Sequence, residues 1–268
     1  MVLAAVLATA AGSIAVAGKL DDIKTKGELK FGLEAQYRPF EYRDDTNKII
    51  GYDIDLNAEF AKSLGVKSTP VDTNWSTVIQ SLSNGDFDMI QGGMTATQKR
   101  FEKVNFSVPY MDAASGLLFG GPVAVQDFKG LDGKVASAGA GTPQIKQLQD
   151  CAQAAGVKFS GEILTFDNDA LAYEAMKTGR IAGYASTVVS LLEAKKVHPE
   201  FVVLPWNCDG KFGGEWTAAA FRKEDNDLRG AFDKFIGDAK KSGLLKTLQE
   251  KWLGRSFVDT LPDKAPTW

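Results

Sequence analysis

The sequence is poor in the residues that build metal sites and nucleophilic active sites. Its 268 residues include one histidine, His198, and two cysteines, Cys151 and Cys208. These are too few soft ligands for a typical zinc site. They also leave no Ser-His-Asp or Cys-His arrangement, because the single histidine precedes a proline in a predicted surface loop. We therefore expect no metal and no catalytic residue.

Basic runs and phosphate-binding loops are also missing. The 31 basic and 34 acidic residues give a net charge of 31 − 34 = −3. Because no basic run occurs, nucleic acid is not an expected partner. The glycine-rich segment 139–142 lacks the lysine of a nucleotide-binding loop. We therefore expect no cofactor.

The first 17 residues carry no charge and are almost wholly small or apolar, ending in Ala15-Val16-Ala17. This pattern predicts a secretory signal peptide over residues 1–17, although the usual positive start is missing. The stretch is too short and too rich in alanine for a good membrane span. Export leads to an oxidising compartment and permits a Cys151–Cys208 disulfide. Two separate buried thiols are the alternative.

Strands and helices alternate through the rest of the chain, which is long enough for one large domain or two modest ones. The predicted elements follow the order βαβαβ, and a similar alternation begins again after Gly120. The chain ends in two predicted amphipathic helices. This alternation predicts an α/β protein with parallel sheets covered by helices. Two such units facing each other form a cleft at the carboxyl ends of their strands. The predicted strands are 29–33, 66–71, 87–90, 134–136, 163–166, 181–185 and 201–204, and the predicted helices are 53–64, 75–83, one starting at Thr142-Pro143, 169–178, 187–196, 228–242 and 244–253.

The loop from Gly92 to Arg100 is the most informative segment. It follows the apolar run Phe87–Ile90 and holds two glycines, two threonines and an arginine. Glycines let a backbone approach a ligand closely. Hydroxyls and free N–H groups donate hydrogen bonds, and a guanidinium binds a carboxylate through two parallel bonds. The loop therefore predicts a binding site for a small anion.

Short motifs occur in a fixed order along essentially the whole mature chain. They are Tyr37-Arg38-Pro39-Phe40-Glu41-Tyr42, Gly51–Leu56, Asn74-Trp75, Gly85–Asp88, Gly93-Met94-Thr95 with Thr97 and Arg100, Asn105–Ser107 with Pro109-Tyr110, Lys134-Val135, Gly141-Thr142, Thr178-Gly179-Arg180 and Lys251–Gly254. In this order and spacing they resemble the family 3 solute-binding proteins, the polar amino acid receptors of ABC importers.

The resemblance implies a two-lobed, periplasmic-binding-protein-like fold of type II, each lobe a mixed, mostly parallel sheet flanked by helices. Lobe 1 would hold residues 19–111 and 218–268, and lobe 2 residues 116–214. The crossovers would be residues 112–115 and 215–217. It also implies a periplasmic monomer that closes around a small carboxylate ligand and is then recognised by an ABC transporter permease.

The resemblance assigns the carboxylate of the ligand to Arg100, beside the Thr95 hydroxyl and the Gly93 N–H. A solvated arginine at a helix start is the alternative. Thr142 matches a lobe 2 threonine that touches the same carboxylate from a helix N-terminus, where it would also serve as the N-cap.

Other positions of the resemblance would surround the side chain of the ligand. Tyr37 and Trp75 match aromatic residues that stack on it, and core aromatics are the alternative. Glu34 matches a rim acid that meets a basic side chain in some family members, and a simple exposed glutamate is the alternative. The loop Trp206–Gly210 predicts an uncommon lobe 2 wall.

One position departs from the family pattern. The family usually has an aspartate that pairs with the α-ammonium of the ligand, and Thr187 stands there by spacing. A buried ammonium without a counter-charge is costly. Three interpretations stay open: the ligand is a carboxylate without an α-ammonium, another acid replaces the aspartate, or the register is shifted by one or two residues. Glu215 is the first candidate for that acid, beside Asp167 and Asp169.

Two other function classes use the same fold. The cyclohexadienyl dehydratases eliminate water and carbon dioxide from a cyclic carboxylic acid, which needs a general acid in a dry cleft. Glu215 or Glu34 would be that acid. A stand-alone sensor or chemotaxis receptor would differ only in its partner. We expect a transport binding protein that is not an enzyme.

Overall fold

The computed structural model describes residues 18–120, 127–205 and 215–268. The predicted signal peptide, the predicted wall loop Trp206–Gly210 and Cys208 lie outside these residues. Cys151 is buried and disulfide-bonded. No helix within the described ranges is both long and apolar enough to cross a membrane.

Short strands and helices alternate through the described chain. In order, the strands are β1 (Glu28–Leu33), β2 (Gln36–Tyr37), β3 (Glu41–Arg43), β4 (Ile49–Ile50), β5 (Lys67–Asp72), β6 (Met89–Ile90), β7 (Asn105–Phe106), β8 (Met111–Asp112), β9 (Ser115–Phe119), β10 (Ala136–Gly139), β11 (Leu164–Phe166), β12 (Gly183–Thr187), β13 (Val202–Pro205), β14 (Trp216–Thr217) and β15 (Ala220–Phe221). The α-helices are α1 (Lys19–Lys26), α2 (Tyr52–Leu64), α3 (Val78–Asn84), α4 (Gln98–Phe101), α5 (Gln144–Ala155), α6 (Asp169–Lys177), α7 (Val188–Val197), α8 (Asn226–Ser242) and α9 (Leu244–Leu253).

The first sheet has the strand order β5-β1-β6-β15-β7. β1 is parallel to β5 and β6, whereas β15 is antiparallel to both β6 and β7. Four of the five strands therefore run in one direction, as expected of a mixed, mostly parallel sheet. The C-terminal part of the chain supplies β15, and α8 and α9 pack with α1 and α2. We call this sheet and its helices lobe 1.

The second sheet repeats this arrangement with the order β11-β10-β12-β9-β13. β10 is parallel to β11 and β12, and β9 is antiparallel to β12 and β13. Again one strand in five runs against the others. We call this sheet and its helices lobe 2. The architecture is the two-lobed α/β fold that the sequence predicts.

Both faces of each sheet are buried, because successive residues of a strand point to opposite sides. In β6, Met89 lies in the apolar cluster formed with α2, α8 and α9, and Ile90 lies in a second cluster with α3. In β9, Leu117 and Leu118 divide between two clusters in the same way. Burial on both faces explains why these strands read as continuous apolar runs.

Two chain segments connect the lobes, and they pair with one another. β8 and β14 form a two-stranded antiparallel ladder. The Ala113 N–H donates to the Glu215 carbonyl oxygen at 2.9 Å, next to that ladder. The two predicted crossovers lie in or beside it. The lobe boundaries at residues 111, 116, 214 and 218 stay a prediction.

Local structure differs from the sequence prediction at several places, and α1 and β9 are among the elements that were not predicted. Thr142 does not cap α5, because its hydroxyl donates to the Gly139 carbonyl oxygen at 2.8 Å and closes a turn before the helix. The helix predicted from Trp75 starts as a 3₁₀ helix, Trp75–Thr77, and continues as α3. The small sheet β2-β3-β4 has strands of two or three residues, too short to give an alternating pattern.

Candidate functional site

The carboxyl ends of parallel strands from both lobes meet around one cavity. In lobe 1, Glu34 follows β1 and Gly92 follows β6. In lobe 2, Gly139 ends β10, Asp167 follows β11 and Thr187 ends β12. The empty volume is about 580 Å³, part of it open to solvent. The position at the strand ends suits a small-molecule ligand.

All but one of the predicted ligand-binding residues line this cavity. They lie far apart in the sequence and are brought together by the folding of each lobe and by the position of the two lobes against each other. The lining residues among them are Glu34, Tyr37, Trp75, Gly93, Thr95, Arg100, Thr142 and Thr187.

Arg100, in α4, places a half-buried guanidinium at the cavity. Its Nη1 donates to the Thr95 carbonyl oxygen at 2.8 Å, and its Nη2 donates to the Gly141 carbonyl oxygen at 3.0 Å. The Trp75 ring lies beside it, with 5.5 Å between the guanidinium carbon and the ring centroid. Burial lowers the pKa of Arg100 to about 10, so the group is charged at neutral pH. No carboxylate of the described residues pairs with it.

Gly93 serves the site differently from the prediction. Its N–H, predicted to face the ligand, donates to Asp53 Oδ2 at 2.6 Å and so already has a partner. Its φ is 60°, and a Cβ there would lie 2.6 Å from a ring carbon of Tyr37. Glycine is therefore needed so that the Tyr37 ring can lie against the loop.

Two hydrogen bonds join the lobes at the rim of the cavity. The first is the bond from Arg100 to the carbonyl of Gly141. Gly141 has a φ of 73°, and a Cβ there would lie 3.0 Å from Ser76 Cα of lobe 1. The second joins Tyr37 and Thr187, whose hydroxyl oxygens are 2.7 Å apart. The structure is therefore the closed form.

Thr187 has two hydrogen-bond partners within the protein. Besides the contact with Tyr37, its Oγ1 caps α7 by accepting the Ser190 N–H at 3.5 Å. The side chain is almost fully buried. Burial also raises the pKa of Tyr37, so the phenol stays protonated and able to donate.

Acidic side chains form another part of the cavity wall. Glu34, Asp167 and Asp169 all line it. Burial raises the pKa of Glu34 to about 8, and the neighbouring charges of Asp169, Asp72 and Asp167 add to this effect. Glu34 is therefore mostly neutral at pH 7 in the ligand-free protein, whereas Asp167 is exposed to water.

Asp169 is the most enclosed acid of this wall. It begins α6 and accepts hydrogen bonds from Tyr184 Oη at 2.5 Å, Ser190 Oγ at 2.8 Å and Tyr173 Oη at 3.1 Å. Burial raises the pKa of its carboxyl, and the three hydroxyl donors oppose that rise. No lysine or arginine of the described residues pairs with it.

Glu215 lies outside the cavity, which corrects its role as first candidate for the missing acid. Its Oε2 accepts from Ser115 N at 3.2 Å and from Ser115 Oγ at 3.0 Å, and its Oε1 accepts from Gln147. These bonds tie it to the connection between the lobes, because residue 215 precedes β14 and residue 115 begins β9. Proximity to a crossover was therefore a poor guide to the cavity.

Glu41 lines the cavity although sequence reasoning did not select it. It is almost fully buried, and neither carboxyl oxygen has a hydrogen-bond partner among the described residues. Burial and the neighbouring Asp53 raise its pKa well above the usual range, which favours its neutral form. Its position inside the motif Tyr37–Tyr42 was the only signal in the sequence, and that motif does not show burial.

Comparison with known proteins agrees with this geometry. The family described as bacterial extracellular solute-binding proteins, family 3, matches residues 29–255. The L-cystine-binding protein TcyJ of Escherichia coli (strain K12) is 28% identical over 256 residues, which cover 95% of this chain and 93% of that protein.

Two solved structures are similar in both fold and sequence. A mutant of ArgBP from T. maritima has a TM-score of 0.78 and 30% identity, covering 88% of this chain and 100% of that one. AncCDT-1, an ancestral amino acid-binding protein described as a precursor of cyclohexadienyl dehydratase, has a TM-score of 0.77 and 32% identity, with the same coverage.

Proposed function

We propose that this chain, which belongs to the family 3 bacterial extracellular solute-binding proteins, binds an α-amino acid in its cleft and delivers it to the permease of an ABC importer. The observation that carries this proposal is Arg100. A half-buried guanidinium lines a cavity between two lobes and has no carboxylate partner among the described residues. A ligand carboxylate provides that partner.

The carboxylate lies between lobe 1 and lobe 2. Thr95 and Thr142 line the cavity with Arg100 and supply hydroxyl groups from the two lobes. Arg100 bonds the backbone of both lobes, so a carboxylate bound to it stabilises the closed arrangement. Arg100 and Thr95 bind it first in the open form, and lobe 2 completes the site on closure.

The acidic wall favours an amino acid over a carboxylate that lacks an ammonium. Glu34, Asp167 and Asp169 surround one part of the cavity, and only a ligand with a cationic group supplies a counter-charge to these carboxyls. The wall therefore supports the interpretation in which another acid does the work of the aspartate absent at Thr187. Two of the proteins named above, TcyJ and ArgBP, bind L-cystine and arginine by their descriptions, and both molecules carry a carboxylate and cationic groups.

The remaining parts of the proposal concern location and partners. The protein is exported through its signal peptide and acts in the periplasm as a monomer. The permease recognises the surface of the closed lobes, so a ligand promotes transport by favouring that form.

A screen of the refolded, ligand-free mature protein tests this function. The library holds the common α-amino acids with L-cystine and ornithine, each beside the matched acid without its amine. A ligand that binds only the native state raises the melting temperature, and calorimetry then gives its affinity. We expect shifts with one or a few amino acids. Shifts only with the amine-free acids would contradict the amino acid assignment, and no shift with either class would contradict the binding function.

A second candidate function is a dehydratase acting on a cyclic carboxylic acid, and one observation favours it. The raised pKa of Glu34, about 8, leaves a protonated acid in the cavity at neutral pH, which is what general acid catalysis requires. Incubation with prephenate and mass spectrometry of the products separates the two functions. We expect no turnover, and loss of water and carbon dioxide from prephenate would establish the enzyme.

A further inference from the structure

Arg100 and Asp169 bring ionisable groups of opposite type to the cavity. Arg100 is half-buried and Asp169 is buried, and neither has an oppositely charged partner among the described residues. They also do not pair with each other. An enclosed charge without a counter-charge is costly. A zwitterion bound between them neutralises both.

We propose that Asp169 binds the α-ammonium of the ligand and so supplies the negative charge that Thr187 lacks. The inference rests on the proposed function, because it completes the amino acid site. A carboxylate has about four positions for accepting hydrogen bonds. Asp169 uses three of them on hydroxyl groups of lobe 2, which leaves one for an ammonium N–H.

The side chains of residues 169 and 187 lie at the same corner of the cavity. Ser190 links them, since its Oγ donates to Asp169 Oδ2 at 2.8 Å and its N–H donates to Thr187 Oγ1 at 3.5 Å. Both residues line the cavity. A carboxylate at either position therefore faces a ligand in nearly the same place.

The other acids of the cavity are less suited to this role. Burial raises the pKa of Glu34 to about 8 and that of Glu41 well above its usual range, and no hydroxyl of the described residues donates to either carboxyl. Asp167 is exposed, so water screens its charge and competes for its hydrogen bonds. Asp169 is buried, held in place by three hydroxyl groups and free of a cation within the described residues.

Calorimetry on three variants tests the proposal, with the amino acids found by the screen and their amine-free analogues as probes. Asp169→Asn keeps the shape but removes the charge, and we expect it to weaken amino acid binding about 30-fold or more. The amine-free analogue should bind the Asp169→Asn variant with the same affinity as it binds the unmodified protein. Asp169→Asn combined with Thr187→Asp returns a carboxylate to the same corner and should recover much of the affinity.

Asp233→Asn is the matched control. Asp233 is an aspartate whose pKa is also raised by burial, and it accepts a hydrogen bond from Val108 N at 2.7 Å. Asp233 lies outside the cavity. Asp233→Asn should therefore leave the affinities for the amino acid and for its amine-free analogue unchanged. If Asp169→Asn does not fold, Asp169→Glu replaces it. Asp169→Glu keeps the carboxylate but displaces it. It should lower the affinity for the amino acid and leave the affinity for the amine-free analogue unchanged.

The outcomes separate this proposal from the proposed function. If Asp169→Asn still prefers the amino acid over its analogue as strongly as the unmodified protein does, Asp169 does not bind the ammonium, and the amino acid function stands. If the unmodified protein binds the amine-free acids equally well, the role of Asp169 is again overturned while the carboxylate site stands. If no compound of either class binds, both proposals fail together.

Discussion

The two lobes have the same pattern of strand directions but bring ionisable groups of opposite type to the cavity. Lobe 1 contributes the guanidinium of Arg100, and burial raises the pKa of the Glu34 and Glu41 carboxyls of the same lobe, which favours their neutral form. Lobe 2 contributes the buried carboxyl of Asp169, whose charged form is favoured by three hydroxyl donors. Sheet topology therefore decides where a ligand is bound, at the carboxyl ends of the strands. The residues that follow those strands decide which charge it meets.

The two charges are also held differently. Arg100 bonds one carbonyl of its own lobe and one of lobe 2, so its full set of contacts exists only in the closed form. Asp169 receives all three hydroxyl hydrogen bonds from lobe 2 itself, so its place does not depend on closure. We infer that lobe 2 is preorganised, whereas the carboxylate site of lobe 1 is completed by the movement of the lobes.

The largest effect is expected from removing the lobe 1 charge. Arg100→Ala should weaken amino acid binding by about 2–5 kcal/mol, roughly 30-fold to several thousand-fold, because a buried ligand carboxylate loses its charged partner. Calorimetry measures this loss. Lys99→Ala removes the exposed neighbouring charge and should bind as the unmodified protein does. An Arg100→Ala variant with unchanged affinity would show that the carboxylate is bound elsewhere.

An intermediate effect is expected from pH and Glu34. Its pKa of about 8 in the folded protein lies above its ordinary value of 4.5. Between these values the folded state holds a proton that the unfolded state has released, so this group lowers stability as pH rises from about 4.5 to 8. Glu34→Gln removes that dependence. The melting temperature of the ligand-free protein should therefore fall less steeply over this window in the variant.

Glu102→Gln is the control for this measurement, because Glu102 is exposed. Its pH profile should match that of the unmodified protein. If the melting temperature of Glu34→Gln also varied with pH as that of the unmodified protein does, the pKa of Glu34 would not be raised by folding. Glu34 would then not be the protonated acid that the dehydratase alternative requires.

The smallest effect is expected at the hydroxyl contact between the lobes. Tyr37→Phe removes the bond to Thr187 and should destabilise the closed form by about 0.5–1.5 kcal/mol, the usual net value of one hydrogen bond. Small-angle X-ray scattering at partial saturation should show a larger fraction of the open form, with affinity lowered by about tenfold or less. Tyr42→Phe, outside the cavity, serves as control. Equal scattering curves for the two variants would show that this contact does not hold the lobes closed.

Much of the fold was accessible from the sequence because its signals are local. The apolar run Phe87–Ile90 predicted a buried strand, and β6 lies there with Met89 and Ile90 facing opposite cores. The short sheet β2-β3-β4 and the turn at Thr142 were missed, because two or three residues carry no periodicity and a turn can compete with a cap.

The candidate site was accessible only in part. Arg100 and Thr95 stand in one loop with a recognisable residue pattern, and both line the cavity. No local pattern distinguishes Glu215, which bonds the connection between the lobes, from Asp169, which lines the cavity. Both are acids near predicted element ends, and only their partners, which lie elsewhere in the sequence, separate them.

By itself the sequence determined two α/β units and the absence of an aspartate at Thr187, and it predicted an anion-binding loop around Arg100. Hydrophobic periodicity, turn residues and residue chemistry act over a few positions, so they can be read along the chain. The tertiary structure decided which acids are buried, which are neutral and which face the ligand. Burial and charge depend on residues that meet only after folding, as Tyr37 and Thr187 do across the cleft.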